Sequence, residues 1–404
     1  MGFLMVLRYL VAMKSSSVLA TIAMVMISAQ ALDNANLDGY VPVPPVAIAG
    51  QPAAPPPAAA SAGQPAAAPP PAIFVFGDGA LDVGNNNDLT GGEIGDPDRA
   101  NHPYYGIDYP GGQASGRFSN GYNIADFIAK DLGFEMSPPA YRSLPDRSPD
   151  KMEGFTGVNY ASARAGIQDS TFVNTTIPLS TQVENFGETR DRLKALLGGR
   201  KPLNMFLSKS LFLIGLGTGM DLIPDSNPFA SFFPPKDNKT QVQRLTELLG
   251  TTITTMHGMG ARKFGIINAG LIGCMPSVQS MYGGLGGDGP CDDDLNRLAA
   301  EFNSALGTLL SDLASKLHRF RYSLADFYGF SNATFTNPSA SGFANTISAC
   351  YSGSGKPCSN RAEYWFWDYW YTTEQAAKLA AAAFYSGKRF AMPVNFKRLI
   401  AMKG

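Results

Sequence analysis

The chain has 404 residues, 45% of them hydrophobic, and contains 43 glycines. That is enough to bury a substantial core, and one large α/β domain is a better expectation than two small ones. A formal net charge of −1 gives no general attraction to nucleic acid or an anionic membrane, so binding must come from a local site.

Residues 1–31 carry Arg8 and Lys14, an apolar run from Val18 to Ile27, and then Ala29-Gln30-Ala31. This reads as a secretory signal peptide with a small-x-small cleavage site. The run is far shorter than the ~20 residues that span a bilayer, which weighs against an uncleaved anchor. Residues 32–72 follow as a linker. From 41 onward they are nearly all Pro, Ala, Gly, Val, Ser and Gln, with Ala-Gly-Gln-Pro starting at Ala49 and again at Ala62. So few large apolar side chains cannot offset the entropy of ordering, and the prolines favour extended polyproline backbone. An O-glycosylated Ala-Pro stalk is the alternative to a plain spacer.

The folded part is expected over 73–395 as a single α/β domain, with 396–404 as a tail. Ile73-Phe-Val-Phe76 is short, wholly apolar and followed by a Gly-Asp turn, as expected of a buried parallel strand with its functional loop at the carboxyl end. Helical spacing follows at Ile124, Phe127, Ile128 and Leu132, with Ser119 or Asn120 available as cap. A second strand, Leu211 to Leu216, precedes a helix through Val242, Leu245, Leu248, Leu249, Ile253 and Met256. A third, Phe264 to Asn268, precedes a helix through Leu295, Leu298, Phe302, Leu306, Leu309 and Leu313. This alternation predicts a parallel sheet covered by helices on both faces.

Several ordered blocks carry chemistry-bearing residues. The first runs from Ala72 to Asn87 and contains Gly77-Asp78-Gly79-Ala80. Then come Tyr105–Asp108, Ser115–Gly121, Gly157–Ile167, Leu211–Gly217, Gly260–Phe264, Ile272–Pro276 and Tyr364–Asp368. Together they resemble the plant GDSL esterase/lipases over roughly residues 72 to 395. The resemblance implies a flavodoxin-like SGNH hydrolase fold, a three-layer α/β sandwich, and ester hydrolysis without a cofactor.

Serine ester hydrolysis needs a nucleophile, a base, an acid that orients the base, and donors aimed at the oxyanion. The resemblance implies serine at position 79, and the chain has Gly79. It implies a histidine three residues after Asp368, and the chain has Tyr371, a phenol and a poor base near neutral pH. Gly-x-Asn-Asp is implied after the third block, and the chain reads Gly217-Thr218-Gly219-Met220-Asp221, with no asparagine amide. Asp368 is the one retained triad position. Gly79 and, in the second block, Gly166 are the expected backbone donors to the oxyanion. The expectation is an enzyme-like fold that has lost hydrolysis. Its backbone donors near Gly79 and Gly166 then converge on a vacated mouth and bind a neutral acyl ester or acetylated glycan. The alternative is an active or weakly active ester hydrolase with a relocated site.

For such relocation the chain offers three histidines. His257 and His318 follow helical patterns and read as surface or capping groups, while His102 lies on a loop able to approach the cleft. Ser162, Thr218 and Tyr371 are hydroxyls that would need a neighbouring base, and Asp78 reads as a turn residue. The aromatic cluster Tyr364 to Tyr371 reads mainly as core or cleft wall, with a stacking platform as the sharper alternative. No cluster has metal-ligand spacing.

Secretion makes disulfides expected for Cys274, Cys291, Cys350 and Cys358; local pairs are the simplest of the three connectivities. Asn174, Asn238 and Asn332 begin Asn-x-Thr sequons, which a secretory route can glycosylate. The expected location is extracellular or in the cell wall.

Overall fold

A computed structural model describes residues 70–90, 97–172, 174–216, 219–223, 237–282 and 291–403. The expected signal peptide and nearly all of the linker lie outside the described residues.

Eight strands are present among them: β1 (Ile73–Gly77), β2 (Gly157–Asn159), β3 (Leu211–Gly215), β4 (Lys263–Ile267), β5 (Arg321–Ala325), β6 (Asn345–Ala349), β7 (Tyr364–Phe366) and β8 (Ala391–Met392). Six form one sheet in the order β2-β1-β3-β4-β5-β8. All are parallel except β8, which runs antiparallel to β5 at the edge. β6 and β7 form a separate parallel pair.

The helices are α1 (Ile124–Asp131), α2 (Leu179–Leu196), α3 (Arg200–Lys209), α4 (Asn238–Gly258), α5 (Pro276–Tyr282), α6 (Asp293–Lys316), α7 (Phe327–Thr336), α8 (Glu374–Tyr385) and α9 (Phe396–Ala401). Strand side chains alternate between faces. Phe74, Phe76 and Phe212 therefore share one face, where each meets Phe186 of α2. Gly265 of β4 is one residue out of phase with Phe264, and a Cβ there would touch Phe396 of α9 at 3.1 Å. Helices thus cover both faces of a largely parallel sheet, the α/β sandwich expected. The wholly buried runs of β1 and β3 are what such a sheet requires.

Several local expectations are corrected. The cap of α1 is Asn123, whose side chain accepts the Asp126 N–H while the Asp126 carboxylate accepts the Asn123 N–H. Asn120 instead accepts the N–H of Glu374 at 2.8 Å. Leu248 lies on the outer side of α4, 38% exposed. The α4–α6 contact uses Gly250, where a Cβ would come within 3.0 Å of Leu309. The segment expected as a tail contains α9, with Phe396 and Leu399 fully buried, so the folded body continues past 395. Lys263, itself buried, donates from Nζ to the Ile400 carbonyl at 2.6 Å and anchors that helix.

The disulfides are Cys274–Cys291 and Cys350–Cys358, the local pairing. Asn174, Asn238 and Asn332 are all exposed. Among the described residues no helix is long and apolar enough to cross a membrane.

Candidate functional site

The first block turns sharply at the carboxyl end of β1. Gly77 has φ 129°, and a Cβ there would overlap the Gly215 carbonyl of β3; only glycine admits that neighbour. Gln182 of α2 brackets the same residue, accepting the Gly77 N–H at 2.8 Å and donating to its carbonyl at 2.9 Å. Buried Asp78 accepts the Ala80 N–H at 2.9 Å, the turn role read from the sequence. These contacts fix the direction in which residue 79 faces.

What residue 79 faces is Tyr371. A Cβ built on Gly79 would lie 2.5 Å from Tyr371 Cε1 and closer still to Cζ and Oη. The phenol is 2% exposed, packs on Phe118 at 5.1 Å, and accepts the Arg164 N–H at 3.2 Å. Burial, reinforced by the charges of Asp78 and Asp98, pushes its pKa well above 10, so the hydroxyl stays protonated. The expectation of a vacated mouth at Gly79 is therefore corrected: the ring in the base's sequence position occupies the space of the nucleophile's side chain.

Asp368, expected as the acid, bonds the backbone of the same turn. Its Oδ1 accepts the N–H groups of Trp370 and Tyr371 at 2.8 and 2.7 Å, and its Oδ2 accepts the Tyr105 hydroxyl at 2.8 Å. Burial outweighs these donors and raises its pKa to about 6. The carboxylate orients no imidazole and instead holds the turn that aims Tyr371. His102 is exposed and meets Tyr105 edge-on at 4.8 Å, so Tyr105 stands between it and Asp368. His257 pairs with the His318 carbonyl at 2.9 Å at the end of α4, a capping role.

The second-block N–H directed at Tyr371 Oη belongs to Arg164, which has φ 60°. A Cβ on Gly166 would meet Asp221 Oδ1 at 2.5 Å and Thr171 at 2.6 Å. Asp221 accepts from the Ile167 N–H, the Gln168 N–H and the Thr171 hydroxyl at 2.7, 3.0 and 2.6 Å, tying the second block to the segment after β3. Gly219 donates its N–H to the Leu216 carbonyl at 3.1 Å, and Gly217 and Thr218 lie outside the described residues. Ser162 is fully buried, bonded to Asn86 and accepting the Ile177 N–H, which leaves it no access to substrate.

Arg164 closes the site from outside. Its guanidinium pairs with Asp98 and lies over Phe172 at 4.9 Å and Trp370 at 5.1 Å. Sequence reasoning passed over Arg164 and Asp98; the available signal was one long cationic side chain amid the small residues Ala161-Ser-Ala and Ala165-Gly166. Beside Tyr371 runs a crevice with about 30 Å³ open to a water-sized molecule, walled by Leu271, Met275, Phe335, Trp365 and Trp370. Trp365, Phe366 and Trp367 are buried, the core role read from the sequence.

The GDSL-like Lipase/Acylhydrolase family model matches residues 73–384. Among similar proteins, GDSL esterase/lipase At1g71691 of Arabidopsis thaliana is 32% identical over 82% of this chain and 86% of its own length. GDSL esterase/lipase At5g55050 of the same plant is 33% identical over 82% of this chain and 90% of its own. The chain belongs to the GDSL lipase/acylhydrolase family.

Proposed function

We propose that this chain is a secreted member of the family that does not hydrolyse esters at the family's site and acts by binding an acyl-bearing ligand. The observation behind the first part is the Tyr371 phenol over Gly79: among the described residues, position 79 offers no hydroxyl, position 371 no imidazole, and the phenol fills the space a side chain at 79 would take. Removing nucleophile and base leaves only positioning and residual hydrogen bonding, which in a serine protease still gave about 10³–10⁴ over water. Here even those are blocked by a side chain. Secretion is supported by the leader sequence, the two disulfides and three exposed sequons. Of the two ligand classes expected, the apolar crevice favours an acyl group over an acetylated glycan, which needs more polar partners. The crevice holds about 30 Å³ as it stands, so the proposal includes an outward swing of half-buried Trp370 at its wall to admit the acyl chain.

The test is calorimetry of the purified chain with a lauroyl sugar ester, alongside a product assay. Saturable binding without laurate release, weakened by Leu271→Trp in the crevice wall, is the expected result. Turnover would overturn the non-hydrolytic reading, and absence of binding would overturn the acyl assignment.

A further inference from the structure

We infer that a second site, a polar groove between α1, α8 and residues 359–363, binds a neutral oligosaccharide. The groove holds about 640 Å³, within the roughly 300–1,000 Å³ of small-molecule sites. It shares no lining residue with the crevice beside Tyr371, so it stands or falls independently of the reading above.

Charge selects the ligand class. Lys130, Lys378 and Arg361 face Asp108, Glu363 and Glu374, three cations against three carboxylates. A polyanion or polycation gains no net attraction from such a lining. A ligand whose every hydroxyl both donates and accepts is matched by interspersed donors and acceptors. The Gln375 amide and the Lys378 ammonium also line the groove and make no hydrogen bond to another described residue. Both are available to sugar hydroxyls. Tyr122 and Phe127, both half-buried, add apolar surface for the carbon–hydrogen faces of a pyranose. The Lys130 ammonium now covers the Tyr122 ring at 3.1 Å, and a stacked sugar displaces it.

The walls are already in place, which lowers the entropic cost of binding. Arg361 grips Asp108 through two hydrogen bonds of 2.7 Å, and Asn120 donates to the same carboxylate at 2.7 Å. The Cys350–Cys358 disulfide braces the strand end that leads into the 359–363 wall. Glu374 lines the groove beside Gly121, where a Cβ would come within 2.6 Å of its carboxyl.

The test titrates the purified chain with cellopentaose, xylopentaose and mannopentaose, with trigalacturonate as the charged control. At least one neutral pentasaccharide is expected to bind saturably, with little dependence on salt. Gln375→Ala/Lys378→Ala is expected to weaken it at least tenfold at an unchanged melting temperature, and Leu271→Trp to leave it unaffected. Failure of all three neutral sugars to bind, unchanged affinity in the double variant, or tighter binding of trigalacturonate would each overturn the assignment.

Discussion

The Tyr371 phenol and the missing side chain of Gly79 compete for one volume: any Cβ on residue 79 falls within 2.5 Å of the Tyr371 ring. The two departures from the family's pattern, read separately in the sequence, are one packing unit in the structure. Glycine at 79 is the condition for tyrosine at 371.

That coupling is measurable. Gly79→Ala forces a methyl into a filled, buried space and is expected to cost about 1–3 kcal/mol. Tyr371→Ala alone opens a cavity and is expected to cost about 3–5 kcal/mol, the range for removing a buried aromatic ring. In the Tyr371→Ala background, Gly79→Ala becomes nearly neutral. Denaturant unfolding of the four proteins gives the coupling directly; additive costs would show that ring and backbone do not compete.

Restoring chemistry requires both positions. Gly79→Ser alone is expected to destabilise the protein and hydrolyse p-nitrophenyl butyrate no faster than the parent, since the ring blocks the hydroxyl. Gly79→Ser/Tyr371→His supplies nucleophile and base together, with Asp368 bonded to the backbone of residue 371. Stopped-flow assays of the pair are expected to show a burst absent from the single variant. Equal activity in the two would mean that Tyr371 is no obstacle.

Two buried acids set a pH dependence of stability. Burial raises Asp82 and Asp368 to about 6 despite their N–H donors, against about 3.9 unfolded. A raised folded pKa means their contribution is complete below about pH 3.9 and is lost as pH rises through about 6. Asp108, held low by Arg361, works in the opposite sense, so the informative quantity is the difference between variants. Asp368→Asn is expected to flatten the fall in melting temperature between pH 4 and 7. A profile parallel to the parent's would show that Asp368 does not titrate there.

Secreted protein is expected to begin near Leu32, to carry glycans at one or more of Asn174, Asn238 and Asn332, and to have four oxidised cysteines. Intact-mass and peptide mapping without reduction check all three. Alkylation of Cys274 or Cys358 by a thiol reagent would contradict the pairing.

The sequence made the architecture legible where burial leaves a periodic mark: β1, β3 and β4 as apolar runs, α4 and α6 as helical stripes. It did not reveal β5, because Arg321-Tyr-Ser-Leu-Ala325 mixes polar and apolar residues. Nor did it reveal α2 and α3, whose polar composition hides the few inward positions such as Phe186 and Leu207. α9 was lost because six residues are too few for a pattern, though Phe396 is fully buried. At the site, sequence motifs singled out Gly79, Asp368 and Tyr371, which the structure places side by side. They test each position for a chemical role, not two positions for a shared volume, and so an open mouth was expected where a ring is packed. The same limit passed over Arg164, whose N–H reaches the Tyr371 hydroxyl.

Whether Tyr371 seals the site is read by intact-mass detection of covalent labelling by a fluorophosphonate, applied to the natural chain and to Gly79→Ser/Tyr371→His. No adduct is expected on the natural chain after prolonged exposure, and one adduct, at residue 79, on the double variant. A stoichiometric adduct on the natural chain would reveal a competent nucleophile and contradict the claim that Tyr371 has sealed the site.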